Sequence, residues 1–109
     1  MEHLKKELDN IISIIKRIDP DLIYLFGSFA NGAYDEGSDI DLLIVAKSVD
    51  PPLERRLKLR RMLKDYDQRI GLDLLVYTPE EFKMLEKQPS SFIYSAIKNG
   101  EKIYERGIA

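Results

Sequence analysis

The chain has 109 residues, with 17 basic and 19 acidic side chains, one histidine, and neither cysteine nor tryptophan. That length suits a single domain over residues 1–109, and a composition 44% apolar and 33% charged describes a chain that buries a core and does not stay disordered. Without cysteine there is no disulfide framework, thiolate metal site or cysteine nucleophile, and His3 by itself builds no histidine-rich metal site; catalysis has to run on carboxylates, hydroxyls, amines or a borrowed cation.

In chain order, Leu4, Leu8, Ile11, Ile12 and Ile15 recur at helical spacing with Lys5, Lys6, Asp9, Ser13, Lys16 and Arg17 on the other face, which predicts an amphipathic helix ending before Asp19-Pro20. Leu22 to Phe26 is a short β-rich run stopped by Gly27, and Ile40 to Ala46 is a second, interrupted by Asp41. Between them, Gly27 to Ser38 holds three of the six glycines and reads as a loop with one helical turn after Ser28. A connection of this length allows either a tight crossover or an antiparallel return.

Pro51-Pro52 opens a helix whose core stripe is Leu59, Met62, Leu63 and Tyr66, led in by Leu53 and Leu57. Leu72 to Tyr77 is a third strand with Asp73 near its start. Thr78-Pro79-Glu80-Glu81 then reads as an N-cap, a first-turn proline and acids that favour the helix dipole, beginning a short helix with Phe82 and Leu85. Pro89 breaks it, Ser90 caps another helix carrying Ile93, Ala96 and Ile97, and Asn99-Gly100 closes that one. Lys102 to Tyr104 is a last edge strand. The order αβαβαβααβ predicts an α/β (α+β) fold, a small mixed sheet flanked by helices.

The longest apolar runs are too short to cross a bilayer. Met1 to Asp9 is charged with no apolar stretch behind it, so the expectation is a cytoplasmic protein without a secretory signal. A net charge of −2 argues against direct nucleic-acid binding, although Arg55, Arg56, Lys58, Arg60, Arg61 and Lys64 make one locally basic helix. Such a helix is either a solvated face or a docking surface for polyphosphate, RNA or an acidic partner.

The chemistry concentrates in the acids. Asp39 and Asp41 flank one residue at the start of an otherwise apolar strand, and in a strand such residues share a face with Cα atoms about 6.5 to 7 Å apart. Like charges so close call for a proton or a cation, and Mg²⁺ takes hard oxygen ligands. Asp73 occupies the same early position in the third strand; with that strand beside the second, three carboxylates form a cluster suited to two metals. Each part has an ordinary alternative, since Asp-x-Asp also marks solvated strand ends and Ser28 is also a simple helix cap. A calcium loop fails because Leu43 and Ile44 stand where an oxygen ligand and the turn glycine belong. Gly27 and Ser28, between a strand end and a helical turn, can offer backbone N–H groups and a hydroxyl to phosphate oxygens. A Walker A loop is excluded, because no Gly-Lys-Ser or Gly-Lys-Thr follows.

Gly27-Ser28, ten intervening residues, Asp39-Ile40-Asp41 and the later Asp73 together resemble the DNA polymerase beta-like nucleotidyltransferase superfamily, and most of all its minimal nucleotidyltransferases. The likeness extends over nearly the whole chain, from the leading helix to Ile97-Lys98-Asn99-Gly100-Glu101-Lys102-Ile103-Tyr104. It implies that Asp39, Asp41 and Asp73 hold two Mg²⁺ ions, that Asp73 also orients or deprotonates the acceptor hydroxyl, and that Gly27 and Ser28 bind the β- and γ-phosphates of ATP. It further implies an antitoxin that adenylylates a tyrosine of a HEPN-domain toxin encoded nearby, in a hetero-oligomeric pair. A small-molecule acceptor is the rival within the enzyme class, and a module that neutralises its partner by contact is the rival outside it. Relatives often carry arginines just after the Gly-Ser pair, where this chain has Phe29 and Asn31.

Overall fold

The computed structural model describes residues 2–27, 40–67 and 71–107. Along the chain these form helix α1 (Glu2–Ile15) with a 3₁₀ turn after it, strands β1 (Leu22–Phe26) and β2 (Ile40–Val45), helices α2 (Pro52–Met62) and α3 (Lys64–Asp67), strand β3 (Leu72–Tyr77), helices α4 (Pro79–Leu85) and α5 (Phe92–Asn99), and strand β4 (Glu101–Glu105). The four strands make one mixed sheet in the order β3-β2-β1-β4. β1 runs antiparallel to both β2 and β4, and β2 runs parallel to β3, as its crossover through α2 and α3 requires. The expected mixed sheet flanked by helices is therefore present. The open question about the first two strands resolves as an antiparallel return, while the expected helical turn after Ser28 lies outside the described residues.

Strand alternation divides the core in two. Ile23, Leu25, Ile40, Leu42, Ile44, Leu72, Leu74 and Val76 point to one face, where Leu8, Ile11 and Ile15 of α1 and Leu59 with Leu63 cover them. Leu43 and Val45 point to the other, against Phe82 of α4 and Ile93 and Ala96 of α5, with Leu22, Tyr24, Phe26, Leu75 and Tyr77 at its margin. β2 lies in the middle and is buried throughout except at half-buried Asp41.

Two details differ from the sequence reading, and one local expectation is met. The helix after Pro52 does not run on to Tyr66: it stops at Met62, and Leu63 turns the chain with φ −102° and ψ 16° before α3. Leu63 is fully buried by that turn, and Met62 falls out of phase to 38% exposure. The cap of α5 is Ser91, whose hydroxyl accepts from Tyr94 N–H at 3.1 Å, so Ser90 is one residue too early. Thr78 does cap α4, in a capping box where its hydroxyl accepts from Glu81 N–H and the Glu81 carboxylate accepts from Thr78 N–H.

Candidate functional site

The C-terminal end of β1 and the N-terminal ends of β2 and β3 meet at one end of the sheet. Ile40 N–H donates to Gly71 C=O at 2.8 Å, which joins the two parallel strands just ahead of their acids. One residue further on, Asp41 and Asp73 are register partners. Both belong to the face that carries Leu43 and Leu75, so their side chains stand next to each other on the α4/α5 side, Asp41 half-buried and Asp73 exposed. The condition set by the sequence, a third strand beside the second, is met. Asp39 and Ser28 lie outside the described residues.

Gly27 completes the described part of the site. Its φ of +75° is left-handed, and a Cβ built on it would overlap Asp41 Oδ2 and come within 3.2 Å of Asp41 Cγ. The bare backbone at this turn is what gives the Asp41 carboxylate its place, a stronger constraint on Gly27 than loop flexibility. On the opposite flank Phe26 is the register partner of Asp41. Its ring meets that of Phe92 edge-on, with centroids 5.2 Å apart and an interplanar angle of 76°. The aromatic pair was not singled out from the sequence. Alternation puts Phe26 on the face of Tyr24, but it carries no signal that couples Phe26 to Phe92.

Three of the six basic residues of this segment, Arg55, Lys58 and Arg60, are held by polar groups of the chain itself. Arg55, 8% exposed, pairs with Glu81 at 2.7 Å and also donates to Asp50 C=O at 2.8 Å and Val76 C=O at 3.3 Å. The Arg55 guanidinium, followed by the Thr78 N–H, holds the Glu81 carboxyl below its ordinary value of 4.5. Lys58 pairs with Asp50 at 2.6 Å, and Arg60 reaches Leu72 C=O at 3.5 Å. Arg55 and Arg60 thus bind carbonyls along the outer edge of β3 and shield that edge from pairing. Arg56 borders a groove with Pro52, Leu53, Leu75 and Tyr77, beside the strand that carries Asp73.

Among the described residues no group of three metal-binding side chains comes together. The donors that do meet, Asp41 and Asp73, are both carboxylates, and their all-oxygen chemistry fits a hard divalent cation and not a soft one. Residues 9–108, which include this sheet end, match the family described as polymerase beta, nucleotidyltransferase.

The chain belongs to the polymerase beta nucleotidyltransferase family.

Two Methanocaldococcus jannaschii proteins named as candidate protein adenylyltransferases are similar to this nucleotidyltransferase. One is 38% identical over 71 residues, which are 65% of this chain and 69% of the relative. The other is 30% identical over 99 residues, 90% of this chain and 61% of the relative, so the nucleotidyltransferase spans less than two thirds of that protein's length. A similar fold occurs in a solved structure of a tri-AMPylated Shewanella oneidensis HEPN toxin in complex with its MNT antitoxin, at 19% identity and a TM-score of 0.53, covering 96% of this chain and 73% of that one. No helix among the described residues is long and apolar enough to cross a membrane.

Proposed function

We propose that this nucleotidyltransferase, acting as one domain over residues 1–109, transfers AMP from ATP to a tyrosine hydroxyl of a HEPN-domain partner and thereby serves as its antitoxin. The observation that carries the proposal is the in-register pair Asp41 and Asp73 with Gly27 closed against Asp41. The names of the relatives and the AMPylated partner in the similar complex support the acceptor class. Asp39, Asp41 and Asp73 would hold two Mg²⁺ ions. Bound there, divalent metal neutralises charge on the entering and leaving oxygens.

The chain's own residues supply position and proton transfer. Gly27 and Ser28 bind the β- and γ-phosphates through backbone N–H groups and the hydroxyl. Asp73, the exposed member of the pair, accepts a hydrogen bond from the acceptor hydroxyl and takes its proton. The acceptor oxygen bonds to the α-phosphorus as the bond to the β-phosphate oxygen breaks, and pyrophosphate leaves. Catalysis of this kind is positioning and charge stabilisation, which a chain without cysteine can supply.

The test is intact-mass measurement on the HEPN protein encoded beside this chain, after incubation with the nucleotidyltransferase, ATP and Mg²⁺. The expected result is a gain of one or more AMP units, mapped to a tyrosine and absent with an Asp39→Asn, Asp41→Asn double variant. No gain with the native protein, together with undiminished inhibition of the toxin by the double variant, would replace transfer with neutralisation by contact.

A further inference from the structure

We propose that Phe92, backed by Phe26, is the subsite that stacks the nucleobase of the donor nucleotide; the inference rests on the nucleotidyl-transfer reading above. The large apolar side chains most exposed among the described residues are Val49, Leu53, Met62, Met84 and Phe92, and the aromatic one of these packs on Phe26, the register partner of Asp41. Phe26 and Asp41 are paired across antiparallel strands on one face, a relation that brings Cβ atoms to about 4.5–5.5 Å. The Phe92 ring is the next layer outward, 5.2 Å from Phe26 between centroids.

An edge-on pair occupies at most one face of the Phe92 ring. With 48% exposure at the first residue of α5, part of Phe92 is open to another partner. A base stacked on the ring would remove apolar surface from water, and aromatic rings accept any base because every base has a π-face.

The sheet order decides which substrate the ring serves. β2 stands between β1 and β3, so Phe26 and Gly27 lie on one side of Asp41 and Asp73 lies on the other. The donor's phosphates are assigned to the Gly27 side and the acceptor hydroxyl to the Asp73 side. Phe92, packed on Phe26, is thereby tied to the donor side of the acid pair and not to the acceptor side. Recognition by stacking, without base-edge hydrogen bonds, ranks nucleotides by ring area, with purines above pyrimidines.

Calorimetric titration of the whole chain with Mg²⁺-ATP and, separately, with Mg²⁺-tripolyphosphate separates the base from the phosphates. Phe92→Ala is expected to weaken ATP binding at least about fivefold and to leave tripolyphosphate binding within about twofold of native. Phe92→Leu, which keeps apolar bulk against Phe26, is expected to weaken ATP as Ala does, and Phe92→Trp to keep or tighten it. Equal ATP affinity in the native, Ala and Leu proteins would overturn the inference, as would a parallel loss of both ligands. Loss of transfer to the acceptor with ATP affinity unchanged would also overturn it, by giving Phe92 to the acceptor. If the native protein binds neither ligand, the nucleotidyl-transfer reading itself fails and the base subsite falls with it.

Discussion

On the α1/α2 side of the sheet, the inward residues of β2 and β3 are Ile40, Leu42, Ile44, Leu72, Leu74 and Val76, all aliphatic and at most 6% exposed. On the α4/α5 side the same two strands show Asp41, Leu43, Val45, Asp73, Leu75 and Tyr77, joined by Tyr24 and Phe26 from β1, and several of these stay partly open. The strands are shared, and only the parity of the residue number differs. One parity supplies the close-packed surface that holds the strands in register, and the other exhibits acids and rings whose positions that register sets. Placing the acids on strands anchored from behind is how a thin-cored chain can hold two like charges side by side.

Neighbouring residues of β3 break the comparison most directly. Asp73→Asn is expected to lower the transfer rate about a thousandfold, since removing the proposed metal ligand and base takes away several kcal/mol of transition-state stabilisation. Its melting temperature should match that of the native protein. Leu74→Ala should do the reverse, costing about 2–5 kcal/mol in denaturant unfolding while the folded fraction keeps its activity. A stability loss in the first variant as large as in the second would erase the distinction between the faces.

Gly27→Ala sharpens it at the junction. A left-handed backbone costs a residue with a Cβ about 1–2 kcal/mol, and the new methyl group also displaces the Asp41 carboxylate. Transfer should therefore fall about a hundredfold, more than the stability change explains, with displacement of a reacting group as the cause. An active, merely less stable Gly27→Ala protein would show that Asp41 does not need its present position.

The smallest effect belongs to Glu81, on the structural side of the ledger though it sits in the outer half of the fold. Its folded pKa is depressed, so the ion pair with Arg55 contributes stability that is present above about 4.5 and disappears as the pH falls through the depressed value. Glu81→Gln should flatten that acid-side slope in pH-dependent melting and leave transfer at neutral pH unchanged. An unaltered slope would mean that the pair is solvated in the way most surface pairs are.

Much of this architecture was legible because the signals were local. An apolar run with acids at its start gives β2 and β3, and Thr78 with Glu81 three residues later gives the cap of α4. The acid pair was legible only on the condition that the two strands adjoin, which is a matter of sheet order and not of any one segment. The break at Leu63 was hidden because Leu59, Met62, Leu63 and Tyr66 satisfy a continuous helical stripe, and burial of Leu63 in a turn competes with that stripe without altering composition. Ser90 and Ser91 are chemically the same candidate, and only backbone geometry selects the second. The Phe26–Phe92 pair joins two distant elements through a contact that no periodicity encodes.

The parallel pairing of β2 with β3 also dictates when the acid pair can exist. β1 and β2 can close as neighbours early, but Asp73 reaches Asp41 only after α2 and α3 have been made and the crossover has brought β3 back to the sheet. Non-local parallel contacts of this kind form late, after loop closure has been met by enough burial. During synthesis the nascent chain therefore carries Asp41 without its neighbour until α2, α3 and β3 have emerged, and the acid pair is completed only as the sheet itself is.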